Sequence, residues 1–286
     1  GYATYSWTNK DNISGTFSNQ NSSETTFTID SAINISTYLD IPFYFIARNR
    51  SCMVIDTMNV RFLETPKVKA GPDHVACGRD YTLSGAWGLE PSATYTPACT
   101  WTVLTRPQGA LAPTWPNGYN NISSLVHVND YGIYTFEIRE TNTAGNASSC
   151  YSTDTVTVEF MEQPVVNAGP DFNVCGLDFT MNAVSSHIEG DSISGSWICQ
   201  SGGNAAFVDR EDPHTAGHFS SYGTATFWWI ETNHPHIETT DPETCSSHDE
   251  VQVTFYEVPS ASINMNAGDT ITCGLTYFLR ADASGS

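Results

Sequence analysis

Basic residues are scarce in this sequence, and their scarcity removes two classes of partner. Lys and Arg together number 11 against 31 Asp and Glu, which leaves a formal net charge of −20 at pH 7. Nucleic acids and anionic membranes attract proteins through Lys and Arg, so neither is expected as a partner. The charge favours a soluble, mutually repelling surface that can attract divalent cations. No signal peptide or membrane-spanning run is visible, and no membrane insertion is expected in this segment.

Two further patterns are missing: a helical apolar period and the C-x₂-C spacing of zinc sites. No stretch repeats its apolar residues every 3.6 positions, whereas several short stretches alternate apolar with polar residues. Tyr134, Phe136 and Ile138 alternate in this way, which predicts a strand packed on one face and wet on the other. The eight cysteines therefore indicate an oxidising extracellular compartment, at the cell surface, rather than a zinc site.

One motif recurs along the chain and defines its organisation. It runs from a Glu through Ala-Gly-Pro-Asp to Cys-Gly, ending at Cys77 and Cys175, and a third form with three inserted residues ends at Cys273. The cysteines lie 98 residues apart, and self-similarity of this length predicts a tandem array of one small domain. Because two of the copies are incomplete, we expect the chain to be a segment of a longer polypeptide. The predicted copies are a partial repeat at 1–64, complete repeats at 65–162 and 163–257, and a partial repeat at 258–286.

Each repeat is predicted to be an immunoglobulin-like sandwich of about seven strands. A tryptophan recurs early in each repeat, at Trp7, Trp101 and Trp197, and a buried Trp on a middle strand is typical of a two-sheet sandwich. Tyr131-Gly and Tyr222-Gly precede an alternating strand, which is the usual place of the corner tyrosine. The predicted fold class is therefore all-β, with tandem sandwich repeats.

The motifs also carry a resemblance to a known family. Ala-Gly-Pro-Asp near the start, a Tyr-Gly-x-x-Thr-Phe strand and the closing Asp-Thr-Val-Thr-Val resemble polycystic-kidney-disease (PKD) repeats. The variant with Val-Cys-Gly is similar to repeats of giant Bacteroidota surface proteins, which include gliding-motility adhesins exported by the type IX secretion system. The resemblance covers the whole chain, which departs from the pattern at Cys99, at Cys199 and in the long loop 233–248.

The resemblance implies a non-catalytic stalk or filament of a large cell-surface adhesin, with neighbouring repeats of the same chain as partners. Surface glycans or other copies in a filament are further candidate partners. Two alternatives stay open: a self-assembling filament or sheath subunit, and spacer repeats of a secreted hydrolase. No nucleophile with a base, no paired carboxylates and no open metal site recurs between copies, so catalysis is not expected.

Acidic residues at the joints between repeats are the candidate metal ligands. A Glu and an Asp recur at each joint, and Ca²⁺ prefers carboxylate and carbonyl oxygens. An ion held between domains would stiffen the array, so calcium is a candidate cofactor. The alternative is a solvated turn in which the Asp caps its own backbone. The six residues are Glu64, Asp73, Glu162, Asp171, Glu257 and Asp269.

The cysteines are predicted to pair across a joint. In a seven-strand sandwich the early and late cysteines of one repeat lie at opposite ends, too far apart for a bond that needs Cα atoms within about 7 Å. An end-to-end stack brings the early end of one repeat to the late end of the next, which favours Cys77 with Cys245. By the same rule, Cys150 and Cys175 need partners in neighbouring repeats. The alternative is bonding within repeats, Cys77 with Cys150 and Cys175 with Cys245.

Five triplets of Asp, Ser or Thr, and an aliphatic residue resemble the O-glycosylation signal of Bacteroidota secreted proteins. Alternation predicts that Thr57 and Thr155 point outward, opposite inward Met58 and Val156. Sugars there would shield strand edges from pairing with other chains. The predicted acceptors are Ser31, Thr57, Thr155, Ser192 and Thr270. Five Asn-x-Ser sites compete with them, because they suit a eukaryotic secretory origin: Asn12, Asn21, Asn34, Asn121 and Asn146.

Overall fold

The structure, a computed structural model, has strands as the only regular elements in the part that it describes. That part covers residues 4–9, 13–92, 95–145, 150–186, 192–239, 244–263 and 280–284. Strands numbering 20 lie within these ranges and no helix does, which confirms the predicted all-β class. The same ranges accordingly hold no helix with the length and apolar character to cross a membrane.

The chain forms two compact units. The first contains residues 1–74 and 79–160, and the second contains residues 75–78 and 161–286. Residues 75–78, which lie near the start of the repeat expected at 65–162, thus belong to the second unit. The division into four repeats stays a prediction, because these units follow contacts in space rather than the sequence period.

The first part of the chain carries four sheets. Their orders are β1-β4-β5, β2-β3, β6-β11-β10-β8 and β7-β9. The strands are β1 (Thr4–Asn9), β2 (Gly15–Phe17), β3 (Phe27–Ile29), β4 (Tyr38–Asn49), β5 (Cys52–Leu63), β6 (His74–Cys77), β7 (Asp80–Ser84), β8 (Ala98–Thr105), β9 (Ser123–His127), β10 (Gly132–Thr141) and β11 (Tyr151–Met161).

The four-stranded sheet recurs in the rest of the chain. Its sheets have the orders β12-β18-β17-β14, β13-β16-β15 and β19-β20. The short strand β12 runs parallel to β18, with Phe172 opposite Val253 and Cys175 opposite Tyr256. The strands are β12 (Phe172–Cys175), β13 (Asp178–Thr180), β14 (Ile193–Ser201), β15 (Ala205–Phe207), β16 (Ala216–Phe219), β17 (Gly223–Asn233), β18 (Cys245–Tyr256), β19 (Ser260–Ile263) and β20 (Ala281–Ser284).

Alternation along β10 and β17 builds the two sandwich cores. Tyr134, Phe136 and Ile138 on β10 are each 0% exposed. On β17, Phe227 and Trp229 are equally buried, inside an aromatic cluster. Burial of one such side chain contributes roughly 1.5–3 kcal/mol. The period-two pattern read from the sequence therefore marks the inward faces of these strands.

Trp7 is only partly buried, whereas the other two recurring tryptophans are buried on strands that lie elsewhere than predicted. Trp101 and Trp197 are 1% and 0% exposed. Their strands β8 and β14 end the four-stranded sheets instead of lying in the middle. Burial at an edge is possible because a connecting segment covers each indole. The indole N–H donates to the carbonyl oxygen of Asn121 at 3.0 Å in one repeat and of Pro213 at 3.3 Å in the next.

The corner tyrosine also differs from the prediction. The hydroxyl of Tyr134 donates to the carbonyl oxygen of Asp130 at 2.8 Å, which is the bond that defines such a corner. Tyr131, three residues earlier, has the Cζ atom of Arg79 over its ring, 4.2 Å from the ring centroid. Tyr222 is 50% exposed. The buried tyrosine takes the corner role because its ring packs in the core while its hydroxyl reaches the backbone.

Met58, predicted to point inward, lines an apolar cleft yet remains 50% exposed. The cleft beside β5 is open, so its lining side chains are only partly covered. Val156, the equivalent residue on β11, is 2% exposed as expected. The core of the first repeat is therefore less complete than that of the second.

Candidate functional site at the repeat joints

The Ala-Gly-Pro-Asp turn is built in the same way at two joints. Its glycine, Gly71 or Gly169, has a φ of 91° or 87°, a region that residues with a side chain rarely adopt. At Gly169 a Cβ would also lie 2.7 Å from the carbonyl oxygen of Asn182. Glycine therefore allows the turn to lie against the neighbouring backbone.

Two aspartates connect this turn to the closing strand β11. The backbone N–H of Thr157 donates to Oδ1 of Asp73 at 2.7 Å. In the opposite sense, the N–H of Ala70 donates to Oδ2 of Asp154 at 2.9 Å. Each carboxylate thus accepts a backbone donor of the other segment, and this arrangement of four residues is termed the aspartate lock.

The lock recurs in the next repeat with nearly the same distances. The N–H of Gln252 donates to Oδ1 of Asp171 at 2.8 Å, and the N–H of Ala168 donates to Oδ2 of Asp249 at 2.9 Å. Hydrogen bonds to charged acceptors contribute about 1.5–3 kcal/mol each. The recurring Asp of the turn therefore accepts a hydrogen bond from the closing strand, rather than from its own turn.

Replacing Asp154 by Ala is expected to lower the free energy of unfolding of the first unit by about 1–2 kcal/mol, since the N–H of Ala70 loses its charged acceptor. Urea denaturation of this chain measures the change. Asp56→Ala is the matched control, because the Asp56 carboxylate receives the N–H of its own neighbour Thr57 at 2.9 Å. That variant is expected within about 0.5 kcal/mol of wild type. Equal losses in both variants would contradict the role given to the lock.

The joint carboxylates predicted to bind calcium do not form a metal site among the described residues. No group of three or more His, Cys, Asp and Glu side chains there can hold a metal ion. Asp73 and Asp171 each use one oxygen in the lock. Glu257 is exposed, and Asp269 lies outside the described residues. Calcium at the joints stays a prediction.

The two other predicted ligands, Glu64 and Glu162, are held through their backbones. The side-chain amide of Asn142 donates to the carbonyl oxygen of Glu64 at 2.8 Å. The amide of Asn233 donates to that of Glu162 at 3.0 Å. These asparagines close the sequence Glu-Thr-Asn in both repeats, a signal that the sequence analysis missed. The Glu of the joint motif thus accepts a hydrogen bond from an Asn side chain through its backbone carbonyl.

The first residue of Glu-Thr-Asn is a buried carboxylate in both repeats. Glu140 is 0% exposed and accepts the N–H of Gly88 at 2.7 Å and of Leu89 at 2.9 Å. Burial raises the pKa of Glu140, while these two N–H donors oppose the rise. Glu231 is equally buried and accepts the N–H and hydroxyl of Ser186. Each Glu therefore holds a connecting segment against the core.

Cys77 and Cys245 form a disulfide, with Cα atoms 5.4 Å apart. Residues 75–78 belong to the second unit, so the bond lies within that unit. Cys245 is buried in a small cluster with Met161 and Ile237. The pair is the one that an end-to-end stack favours, and its separation of 168 residues makes it a long-range constraint.

The other described cysteines carry free thiols: Cys52, Cys99, Cys150, Cys175 and Cys199. The alternative pairing within repeats is therefore not formed. Burial, with Glu140 nearby, raises the pKa of the Cys99 thiol to about 11, so this thiol stays protonated and unreactive at neutral pH. Cys150 lies beside the joint, with Sγ 3.3 Å from the carbonyl oxygen of Glu64.

A histidine–aspartate pair recurs on the surface and was also missed by the sequence analysis. Nδ1 of His127 lies 2.8 Å from Oδ1 of Asp80, across β9 and β7. Nδ1 of His218 lies 2.7 Å from Oδ1 of Asp178, across β16 and β13. Both aspartates follow Cys-Gly after one residue, which is the signal that locates them. The pairs present hydrogen-bonding groups to solvent at the repeat period.

The predicted O-glycosylation sites differ in access. Ser31, Thr57 and Thr155 are exposed, whereas the hydroxyl of Ser192 donates to Oδ1 of Asn233 at 2.6 Å. Thr270 lies outside the described residues. Of the competing Asn sites, Asn12 and Asn146 lie outside them too, whereas Asn21, Asn34 and Asn121 are exposed. Because acceptors of both kinds are exposed, exposure does not distinguish O-glycosylation of Ser and Thr from N-glycosylation of Asn. Glycosylation therefore stays a prediction.

No protein-family model and no curated protein matches this chain. Solved structures of tandem β-domains are similar to it at low identity. The zebrafish RET cadherin-like domains 1 to 4 share 8% identity over 88% of this chain and 65% of that one, with a TM-score of 0.26. An I-band fragment of titin shares 11% over 88% of both chains, with a TM-score of 0.34.

The extracellular domains 3–5 of Drosophila OTK share 13% identity over 88% of this chain and 85% of that one, with a TM-score of 0.37. This chain spans 65% of the length of the RET cadherin-like structure. Scores at this level carry no argument about role.

Proposed function

We propose that this chain is an extracellular, non-catalytic repeat segment that forms the stalk or filament of a large bacterial cell-surface adhesin, of the gliding-motility kind. Its task is mechanical, because each repeat adds reach and each joint resists bending and pulling. The disulfide between Cys77 and Cys245 carries the proposal. It closes a loop of 168 residues, so tension passes through the bond while the enclosed strands stay folded.

Three other observations support a load-bearing extracellular role. Disulfides persist in oxidising compartments outside the cytosol. The aspartate lock occurs in both complete repeats, so each closing strand is fastened to the start of its own repeat. The net charge of −20 keeps long arrays apart in solution. A subunit that assembles into filaments is the second candidate, favoured by the exposed apolar edge of β5.

Surface labelling and deletion in the source organism test the adhesin role. Antibodies against residues 65–257 are expected to label intact cells, and in-frame deletion of these residues is expected to reduce attachment to surfaces under flow. Replacing the deleted residues by two unrelated immunoglobulin-like domains of similar length is the control, since a spacer role predicts that it restores attachment. Labelling confined to permeabilised cells, or unchanged attachment after deletion, would contradict the proposal.

A further inference from the structure

The outer face of the sheet β12-β18-β17-β14 has an apolar centre. On β17 the side chains of Phe227 and Trp229 are buried, so Trp228 and Ile230 point to the opposite face of the sheet. Ile198 on β14 lies directly opposite Trp228 in the register. Trp228, Ile230 and Ile198 are all partly exposed. Three neighbouring apolar side chains thus lie on a face that an antiparallel sheet usually makes polar.

The second repeat has charged residues at the same places. Glu137, which follows the buried Phe136 on β10, occupies the place of Trp228, and Arg139 occupies that of Ile230. The sheet forms in both repeats, so its folding does not require an apolar residue at either place. The apolar centre is therefore a property of the third repeat alone, and it indicates a contact with a molecule outside the sandwich.

The indole of Trp228 also differs from the tryptophans of the cores. Its ring stacks on the imidazole of His248, with ring centroids 4.1 Å apart and an angle of 26° between the planes. Its N–H is buried and has no hydrogen-bond partner among the described residues. Buried donors in native structures nearly always have an acceptor, so a bound molecule with oxygen acceptors would satisfy this group. Four other tryptophans donate their N–H to the protein itself: Trp7, Trp101, Trp197 and Trp229.

Hydroxyl and amide side chains border the apolar centre. Thr226 lies two residues before Trp228 on β17 and opposite Gln252 on β18, and Ser196 on β14 lies opposite Ile230. Such groups both donate and accept hydrogen bonds without carrying a charge. The border therefore suits a ligand that is rich in hydroxyl groups.

The charge of the face favours a neutral ligand. The four strands of the sheet contain no Lys or Arg, and Glu250 is the one carboxylate that they place on this face. A face without basic residues, on a chain of net charge −20, does not attract an acidic polymer. A second copy of this chain carries the same net charge, so the pairing of two such faces is opposed as well.

We propose that this face of the third repeat binds a neutral oligosaccharide or polysaccharide. A sugar ring has an apolar C–H face and hydroxyl groups around its edge, which matches an aromatic centre with a polar border. Along β17, the distance from Thr226 to Thr232 is about 20 Å at the rise of an extended strand. That length exceeds one sugar ring, so the face suits a chain of sugars.

Binding of the 286-residue chain to defined glycans tests the inference. Cellohexaose, maltohexaose, mannohexaose and chitohexaose are the neutral probes, and polygalacturonate is the acidic control. At least one neutral probe is expected to bind in isothermal titration calorimetry, and polygalacturonate is not. Trp228→Glu places the residue type of the second repeat at this position and is expected to raise the dissociation constant at least tenfold. Glu137→Gln is the matched control in the second repeat and is expected to leave the dissociation constant unchanged.

A variant that keeps the shape of the strand separates binding from stability. Thr226→Val removes one hydroxyl at the border and is expected to raise the dissociation constant about threefold, because one neutral hydrogen bond is lost. Its midpoint of urea denaturation is expected to stay at or above that of wild type, since Val is favoured in strands.

Absence of binding to all four neutral probes, or equal binding by wild type and Trp228→Glu, would overturn the inference. Self-association that Trp228→Glu abolishes, without glycan binding, would assign the face to a second copy instead. The inference goes beyond the proposed function and does not rest on it. The two fail separately, because a chain that binds no glycan still extends a stalk, and glycan binding by the purified chain does not depend on attachment of cells.

Discussion

Replacing both Cys77 and Cys245 by Ser is expected to lower the free energy of unfolding of the second unit by about 2–5 kcal/mol. The bond closes a loop of 168 residues, and its loss returns that loop entropy to the unfolded chain. Denaturation in urea, followed by tryptophan fluorescence, measures the change. Cys175→Ser is the control, because that thiol is exposed and unbonded, and no change is expected.

Pulling the oxidised chain from its ends provides a second measure of the same bond. The disulfide keeps the enclosed residues out of the path of force, so their length is not released when the domains unfold. Reduction, or the double Ser variant, is expected to add about 570 Å of extended chain for a separation of 168 residues. Equal released lengths before and after reduction would contradict the pairing and remove the main support for a load-bearing role.

Replacing Glu140 by Ala is expected to lower the free energy of unfolding of the first unit by about 2–4 kcal/mol. The N–H groups of Gly88 and Leu89 would lose their acceptor, and buried donors without partners cost about 1–3 kcal/mol each. Denaturation in urea measures the loss. Glu137→Ala is the matched control, because this residue is three positions earlier on β10 and partly exposed, and a loss below about 0.5 kcal/mol is expected.

The Glu140 carboxyl also makes stability depend on pH in a defined direction. Burial raises its folded pKa above the ordinary 4.5, so the folded state binds the proton more tightly than the unfolded state. Stability then falls as the pH rises from about 4.5 to the folded pKa, and levels off above it. Glu140→Gln removes this titration, so the advantage of wild type over the variant is expected to shrink across that window. An advantage that grows with pH would mean that the two N–H donors outweigh burial.

Part of the fold and of the joint could be predicted from the sequence because it depends on local pattern. Alternation identified the buried faces of Tyr134, Phe136 and Ile138, since a strand turns successive side chains to opposite sides. The repeat of Ala-Gly-Pro-Asp located the joint turns, because the φ of Gly71 and Gly169 requires glycine there. The expectation that sandwiches stack end to end, rather than the period itself, favoured Cys77 with Cys245, the pair present in the structure.

Other features depend on which segments meet in space, and no local pattern contains them. The Asp of the turn looked like a calcium ligand, yet its observed contact is a backbone N–H some 84 residues away in sequence. Alternation places Glu140 on the inward face of β10, two residues beyond Ile138, but it does not show what a carboxylate would contact there. The distant segment at Gly88 and Leu89 supplies the two donors that make a buried carboxylate tolerable.

The sequence by itself determined the all-β class, the period of the recurring motif and the inward face of β10. Each of these follows from backbone geometry acting over a few residues, or from self-similarity. Only the tertiary structure decided that Asp73 and Asp154 cap each other's segments, and that β8 and β14 end their sheets. It also decided that β5 has no described strand on its outer edge. These outcomes depend on long-range pairing, which balances hydrogen bonds and burial over the whole domain.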